Sequence, residues 1–415
     1  MPQEIWTVQR CLDWTRDYLT DKGDERPRLS AEWLLSSVTG MTRTQLYMSF
    51  DEPLSPEELA SMHDAVVRRA KGEPLQYICG ETTFRTIDVA CEPGVLIPRP
   101  ETELLVEEVL RFIDREVLVD GAVGSDGEAG FRSRSRVELP WNAEVEAARQ
   151  AELAAAAAKA EEDASGLEDG ADEVDAVREP ASVPDFGASS GPESEAADGD
   201  GQETGEAAPS ADDTAGRAES DGLETSGGHE VEPEPRVARV LEVGTGTGCI
   251  ALSLAAERPG RVRCVATDIE PRAVSLALRN REALGIEADA VDIRRGNLVS
   301  PLDRETEWGT FDVLVSNPPY VPRAVMQTLP AEVADFEPSL ALDGGEDGLD
   351  IFRRLVNAAP YMLRPGGLLA CELFEGHMDQ AADVCRAAGM RDVRIVDDLA
   401  HRPRIILAIV PGREA

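Results

Sequence analysis

The sequence predicts an α/β protein in which a doubly wound, mostly parallel sheet follows a small N-terminal helical domain and a connecting β-hairpin. Three observations predict it. From Arg236 onward, short apolar runs of strand length alternate with segments of helical period. The first of those runs, Val240-Leu241-Glu242-Val243, enters the glycine turn Gly244-Thr245-Gly246-Thr247-Gly248 ahead of a helix. Before residue 75 only helical spacing occurs, and a stretch of period two follows it.

Taken in order, Val8 to Leu19, Ser30 to Val38 and Ser55 to Ala70 place apolar residues three and four apart. Ser30 is read as a helix N-cap, and Ser55-Pro56-Glu57-Glu58 has the cap, first-turn proline and acidic start of a helix opening. This domain, residues 1–75, shows no chemistry of its own; docking a macromolecular partner and simple packing are equally open. Residues 76–97 form the hairpin linker: Thr83 to Val89 alternates, and Pro93-Gly94 is a turn signal before Val95-Leu96-Ile97. Pro98-Arg99-Pro100-Glu101-Thr102-Glu103 then leads into a helix through about Ile113, with Thr102 as its expected cap.

Residues 117–235 interrupt this order. Trp141 to Ala160 is rich in Ala and Glu and lacks an apolar face. Residues 161–235 hold 24 Asp and Glu against two Arg, so 22 of the 39 net negative charges sit there. Such a segment cannot bury enough apolar surface to offset ordering entropy, and it is expected to be a largely disordered acidic insertion. The remaining sheet domain comprises residues 98–116 and 236–415. Its later strands are expected at Val262–Ile269, Val291–Arg295, Phe311–Ser316, Gly367–Leu373, Val393–Val396 and Ile405–Val410, one of the last two antiparallel. Helices are expected at Cys249–Ala256, Arg272–Leu284, Ala324–Val333, Leu349–Leu363 and Met378–Ala388.

Composition limits the function. The acidic balance gives no support for binding nucleic acid through its phosphates. Seven scattered cysteines without a C-x-x-C pair argue against both a disulfide framework and a zinc site, so no metal is expected. Met1-Pro2-Gln3-Glu4 opens no signal peptide and no run has the length of a membrane span, so the expected location is cytoplasmic, without a membrane partner.

The chemistry concentrates at two strand ends. Glycines at a strand-to-helix turn let backbone pass close to a ligand and expose helix-start N–H groups. About twenty residues on, Asp268 ends the second strand, where a carboxylate can accept both hydroxyls of a ribose, or simply cap the next helix. Asn297 ends the third strand. The fourth, Phe311 to Ser316, stops at Asn317-Pro318-Pro319-Tyr320. Two prolines cannot continue a ladder, and they leave the Asn317 amide and the Pro318 carbonyl as acceptors at a strand end. Two such acceptors suit the grip of a planar NH2 by both its hydrogens; a plain strand followed by a Pro-Pro turn is the other reading.

The G-x-G-x-G turn together with Asn317-Pro318-Pro319-Tyr320 resembles the class I methyltransferases that use S-adenosylmethionine. Leu96-Ile97-Pro98-Arg99-Pro100-Glu101-Thr102-Glu103, Phe336-Glu337-Pro338 and Asp343-Gly344-Gly345-Glu346-Asp347-Gly348 narrow the resemblance to the bacterial release-factor glutamine methyltransferases. The likeness covers residues 1 to about 115 and 236–415. It implies that Gly244, Thr245, Gly246, Thr247 and Gly248 cradle the methionine part of S-adenosyl-L-methionine and that Asp268 holds its ribose. Asn297 and Leu298 would face the adenine; the family usually has an aspartate where Asn297 stands. Asn317, Pro318, Pro319 and Tyr320 would hold a glutamine of a peptide chain release factor, with Asn317 and Pro318 in the catalytic role and Asn317 also beside the cofactor. Glu101, Glu103 and Glu337 would order the pocket rim. Two rivals stand beside this: a DNA adenine N6-methyltransferase, since adenine also offers a planar NH2, and a non-catalytic cofactor-binding adaptor.

Overall fold

The computed structural model describes residues 5–118 and 236–412; the expected acidic insertion and the Trp141–Ala160 segment lie outside these residues. Five helices open the chain: α1 (Val8–Asp21), α2 (Pro27–Thr39), α3 (Arg43–Met48), α4 (Pro56–Ala70) and α5 (Leu75–Cys79). Their apolar stripes meet in one core around Val8, Leu19, Leu34, Leu46, Met62 and Val66. Ser55 caps α4 as expected: its hydroxyl accepts from Glu58 N–H at 3.2 Å, and the Glu58 carboxylate accepts from Ser55 N–H at 2.7 Å. Ser30 is not a cap. Helix α2 begins three residues earlier at Pro27, and the buried Ser30 hydroxyl donates to Asp24 at 2.8 Å.

Strands β1 (Glu81–Phe84) and β2 (Ile87–Ala90) pair as an antiparallel hairpin. Its turn is Arg85-Thr86, with Arg85 at φ 52°, and not Pro93-Gly94; Val95 to Ile97 form no strand. Arg85 is held there by a bidentate contact to Glu257 and by Glu107 and the Glu103 carbonyl. Helix α6 follows (Pro100–Phe112), with Pro100 at its first position.

The main sheet contains β3 (Ala238–Val243), β4 (Val262–Asp268), β5 (Val291–Arg295), β6 (Phe311–Ser316), β7 (Leu363–Glu372), β8 (Arg391–Asp397) and β9 (Pro403–Ile409). Their order is β5-β4-β3-β6-β7-β9-β8, parallel through β7, with β9 antiparallel to both its neighbours. Alternation along the strands feeds two cores. Val240, Val313, Leu368 and Ile405 pack on one face with Leu105 of α6 and with Ile250 of α7 (Cys249–Glu257). Leu241, Leu314, Leu369 and Ile406 pack on the other, against Phe352 of α12 (Asp350–Met362) and Ala381 of α13 (Met378–Ala387). Between α7 and α12 come α8 (Pro271–Ala283) and three short helices, α9 (Arg323–Met326), α10 (Ala331–Ala334) and α11 (Ser339–Leu342). The single helix expected over Ala324–Val333 is therefore broken: Pro330 has no N–H to give and pushes the residue before it out of helical geometry. Because chain order runs from β3 outward to β4 and β5, then returns to β6 on the other side of β3, the sheet switches direction between β3 and β6. Ligands of such sheets bind in the crevice there, at the strands' carboxyl ends.

Candidate active site

The glycine turn leaves β3 at that switch point and is fastened to β4. Gly244 and Thr245 N–H donate to Thr267 O at 2.8 and 3.0 Å, and Gly246 N–H donates to Asp268 Oδ2 at 2.9 Å. Asp268 Oδ1 accepts from Glu270 N–H at 2.9 Å. The helix cap of α8 is Glu270, so Asp268 is not spent as one. Burial pushes the Asp268 carboxyl up against the pull of these N–H groups.

Glu242, two residues before the turn, is fully buried beneath it. Its Oε2 accepts from the Thr245 hydroxyl at 2.7 Å and from Ala251 N–H at 3.1 Å, while Oε1 has no protein partner. Burial raises this carboxyl from its usual 4.5 to about 8. A folded-state value above the unfolded one means the folded chain holds the extra proton, so this contribution to stability is lost as pH rises from 4.5 through about 8. Melting temperatures measured between about pH 5 and about pH 8 should fall more for the wild type than for Glu242→Gln. Equal slopes would show that Glu242 is not held neutral.

At the end of β6, the Ser316 hydroxyl donates to Val243 O at 2.7 Å and ties the strand to β3. Asn317 Nδ2 donates to Thr102 Oγ1 at 3.1 Å, and the buried Thr102 hydroxyl donates to Glu372 Oε2 at 2.6 Å. The expected capping role of Thr102 is thus wrong: Arg99 precedes the helix, and Thr102 lies inside its first turn, facing β7. The Tyr320 hydroxyl points at Glu372 Oε1 from 3.4 Å. Glu372 is buried, and desolvation raises it to about 7.

Gly244 to Thr247, Asp268, Asn297, Leu298 and Asn317 to Pro319 line one cavity of about 290 Å3. Gly248 and Tyr320 are not among its lining residues. Asn297 is exposed, and its Oδ1 already accepts from Arg354 at 3.1 Å. Leu298 takes a left-handed φ of 52° and accepts from the Thr267 hydroxyl through its carbonyl at 2.9 Å. Of the expected rim carboxylates, Glu337 binds Arg99 at 2.6 and 2.7 Å beside the cavity. Glu103 accepts from Arg85 N–H and serves the hairpin instead.

Sequence reasoning missed Glu242, Glu372 and the inner wall made by Val95 to Ile97. A signal for both acids was present: each is a lone carboxylate among the last two residues of its strand, directly after apolar residues, Val240-Leu241-Glu242-Val243 and Leu368-Leu369-Ala370-Cys371-Glu372. All seven cysteines are free thiols. Among the described residues no group of His, Cys, Asp and Glu is arranged to hold a metal ion, and no helix is long and apolar enough to cross a membrane.

Comparison with known proteins gives the site its context. Residues 10–80 match the PrmC N-terminal domain family, and residues 230–332 match the methyltransferase small domain family. The release factor glutamine methyltransferase of Geobacter sulfurreducens is 33% identical over 410 residues, covering 99% of this chain and 98% of the relative. That of Moorella thermoacetica is 30% identical over 97% of this chain and 98% of its own. Among solved structures, a methyltransferase from Pyrococcus furiosus is similar over 42% of this chain and 76% of its own, at 23% identity and a TM-score of 0.32. With full-length identity at this level, the chain belongs to the release factor glutamine methyltransferase family.

Proposed function

We propose that the chain transfers the methyl group of S-adenosyl-L-methionine to the side-chain amide nitrogen, N5, of the glutamine in the Gly-Gly-Gln motif of peptide chain release factors. The observation that carries this reading is the orientation of Asn317. Its NH2 is committed to Thr102, so Oδ1 is the end left to accept, and the Pro318 carbonyl follows directly. A glutamine amide nitrogen is a poor nucleophile because its lone pair is delocalised into the carbonyl. Two acceptors that take its hydrogens aim the lone pair; orientation and electrostatics then carry the rate without a strong general base. The cofactor supplies the electrophile, a methyl group on a positively charged sulfur.

The residues present fit that cofactor. Glu242 Oε1 is a buried oxygen without a protein partner; an ammonium group brought to it would replace the proton that burial holds on this carboxyl and pair with the carboxylate. Asp268 accepts from the Gly246 and Glu270 N–H groups, one on each oxygen, and its remaining acceptor capacity suits a ribose hydroxyl. In this reading Gly244 to Gly248 hold the methionine part, Asp268 the ribose, and Asn297 with Leu298 the adenine edge. Asn317 to Pro319 grip the glutamine, and Tyr320 packs beside it and keeps water out. The test is to incubate the protein with labelled S-adenosylmethionine and either a release factor or DNA, then locate the methyl group. Label on the Gly-Gly-Gln glutamine supports the reading; label on DNA alone ends it.

The same reading divides the chain into a helical domain (1–75), a hairpin linker (76–97), a methyltransferase domain (98–116 and 236–415) and an insertion (117–235), in a cytoplasmic enzyme that binds no nucleic acid directly. Both described flanks of the insertion meet one side chain: the Arg261 guanidinium donates to Leu118 O at 3.4 Å and to Arg236 O at 3.3 Å. A short linker can therefore close the gap with little distortion. Replacing residues 119–235 with a short Gly-Ser linker should leave methylation within about twofold of wild type. A folded but inactive deletion protein would give the insertion a part in the reaction.

A further inference from the structure

The acceptor end of Asn317 has to be specified by something, because a carboxamide presents an oxygen or an NH2 with almost the same shape. The specification lies on two other elements. Thr102, on the first turn of α6, and Glu372, at the end of β7, are both about 2% exposed. A threonine hydroxyl has one hydrogen, and with Glu372 ionised, above its raised value of about 7, that hydrogen goes to Oε2 across 2.6 Å. Thr102 Oγ1 can then only accept, so the Asn317 atom 3.1 Å away has to be the donor nitrogen. From this geometry we infer that Thr102 and Glu372 are positioning residues: their hydrogen-bonded relay locks the Asn317 side chain with Oδ1 toward the substrate. The inference rests on the proposed function, in which that oxygen accepts from the glutamine amide.

The consequence of losing the relay is chemical rather than steric. Without the Thr102 hydroxyl, the Asn317 amide can turn over in place. Its NH2 then meets the substrate NH2, two donors facing each other with no acceptor between them, and the productive pose is lost in that fraction of molecules. Removing the Glu372 acceptor has the same effect by another route, since it frees the Thr102 hydrogen to turn toward Asn317 and recruit its oxygen.

The test compares wild type, Thr102→Val, Thr102→Ser, Glu372→Leu and Asn317→Ala in one release-factor methylation assay, with S-adenosylmethionine affinity by calorimetry and folding by melting temperature. Thr102→Val keeps the side-chain volume and removes only the hydroxyl. It is expected to lower kcat roughly tenfold to a hundredfold with cofactor affinity unchanged, and Thr102→Ser to restore kcat to within about threefold of wild type. Glu372→Leu should fall with Thr102→Val. A folded Thr102→Val with wild-type kcat, beside an inactive Asn317→Ala, overturns the relay and leaves the proposed function standing. Equal losses in Thr102→Val and Thr102→Ser overturn it as well, since volume and not hydrogen bonding would then matter. A wild type that does not methylate the release factor removes both readings.

Discussion

Asn317→Ala is expected to lower turnover on a release factor by about a hundredfold or more, with S-adenosylmethionine affinity within about threefold of wild type. Two features of the structure separate those effects. The side chain projects from the end of β6 into the same cavity as the glycine turn, and its nitrogen is anchored to Thr102 of α6 rather than to the turn. Truncation to alanine therefore removes an acceptor from the substrate side while the turn keeps its own fastenings to Thr267 and Asp268. An acceptor that orients a reacting amide acts chiefly in the transition state, so the loss should fall on kcat more than on KM. Single-turnover methylation with saturating cofactor measures it. Turnover close to wild type would remove Asn317 from the mechanism, and a parallel loss of cofactor affinity would make it a cofactor ligand first.

The sheet was legible in the sequence because the inner stretches of β3, β6 and β7 (Val240–Val243, Val313–Val315 and Leu368–Cys371) are buried on both faces and so read as mainly apolar runs. Their carboxyl ends were legible for a related reason: an apolar run that stops at Gly244, Asp268 or Asn317 announces a change of environment. Thr102 was misread on a local rule. A hydroxyl near a helix start usually caps it, but Pro100 already occupies the first helical position, which makes Thr102 the third helical residue. Its partners come from sequence positions 215 and 270 residues away, and no local pattern encodes such a meeting. The break in the Ala324–Val333 helix was legible in Pro330, which helical spacing alone outvoted. The hairpin turn was harder to see, since Arg85 adopts its left-handed φ through ion pairs to Glu257 and Glu107, which become visible only once α7 and α6 are in place.

Gly348→Ala carries the second large effect, and it tests how the substrate strip is held. After Tyr320, the chain is clasped by the Leu342–Gly345 segment: Val321 N–H donates to Leu342 O and Gly344 N–H to Val321 O, both at 2.9 Å, and Arg323 N–H donates to Gly345 O at 3.0 Å. Gly348 closes that clasp with a φ of 79°, and a Cβ added there would lie 2.5 Å from the Tyr320 carbonyl oxygen and 3.0 Å from the His377 ring. Alanine thus meets two costs, the left-handed backbone and an overlap with main chain that cannot rotate away. Together these are expected to destabilise the protein by about 2–4 kcal/mol and, by displacing Tyr320 and the prolines before it, to lower turnover at least about tenfold. Gly389→Ala separates the two costs, because Gly389 has nearly the same φ, 78°, with nothing within 4 Å of an added Cβ. That variant should lose only about 1 kcal/mol and retain full methylation. Denaturant unfolding and methylation of the two variants side by side decide the matter. If Gly348→Ala proves no less stable than Gly389→Ala and equally active, the strip from Asn317 to Tyr320 does not depend on the clasp for its position.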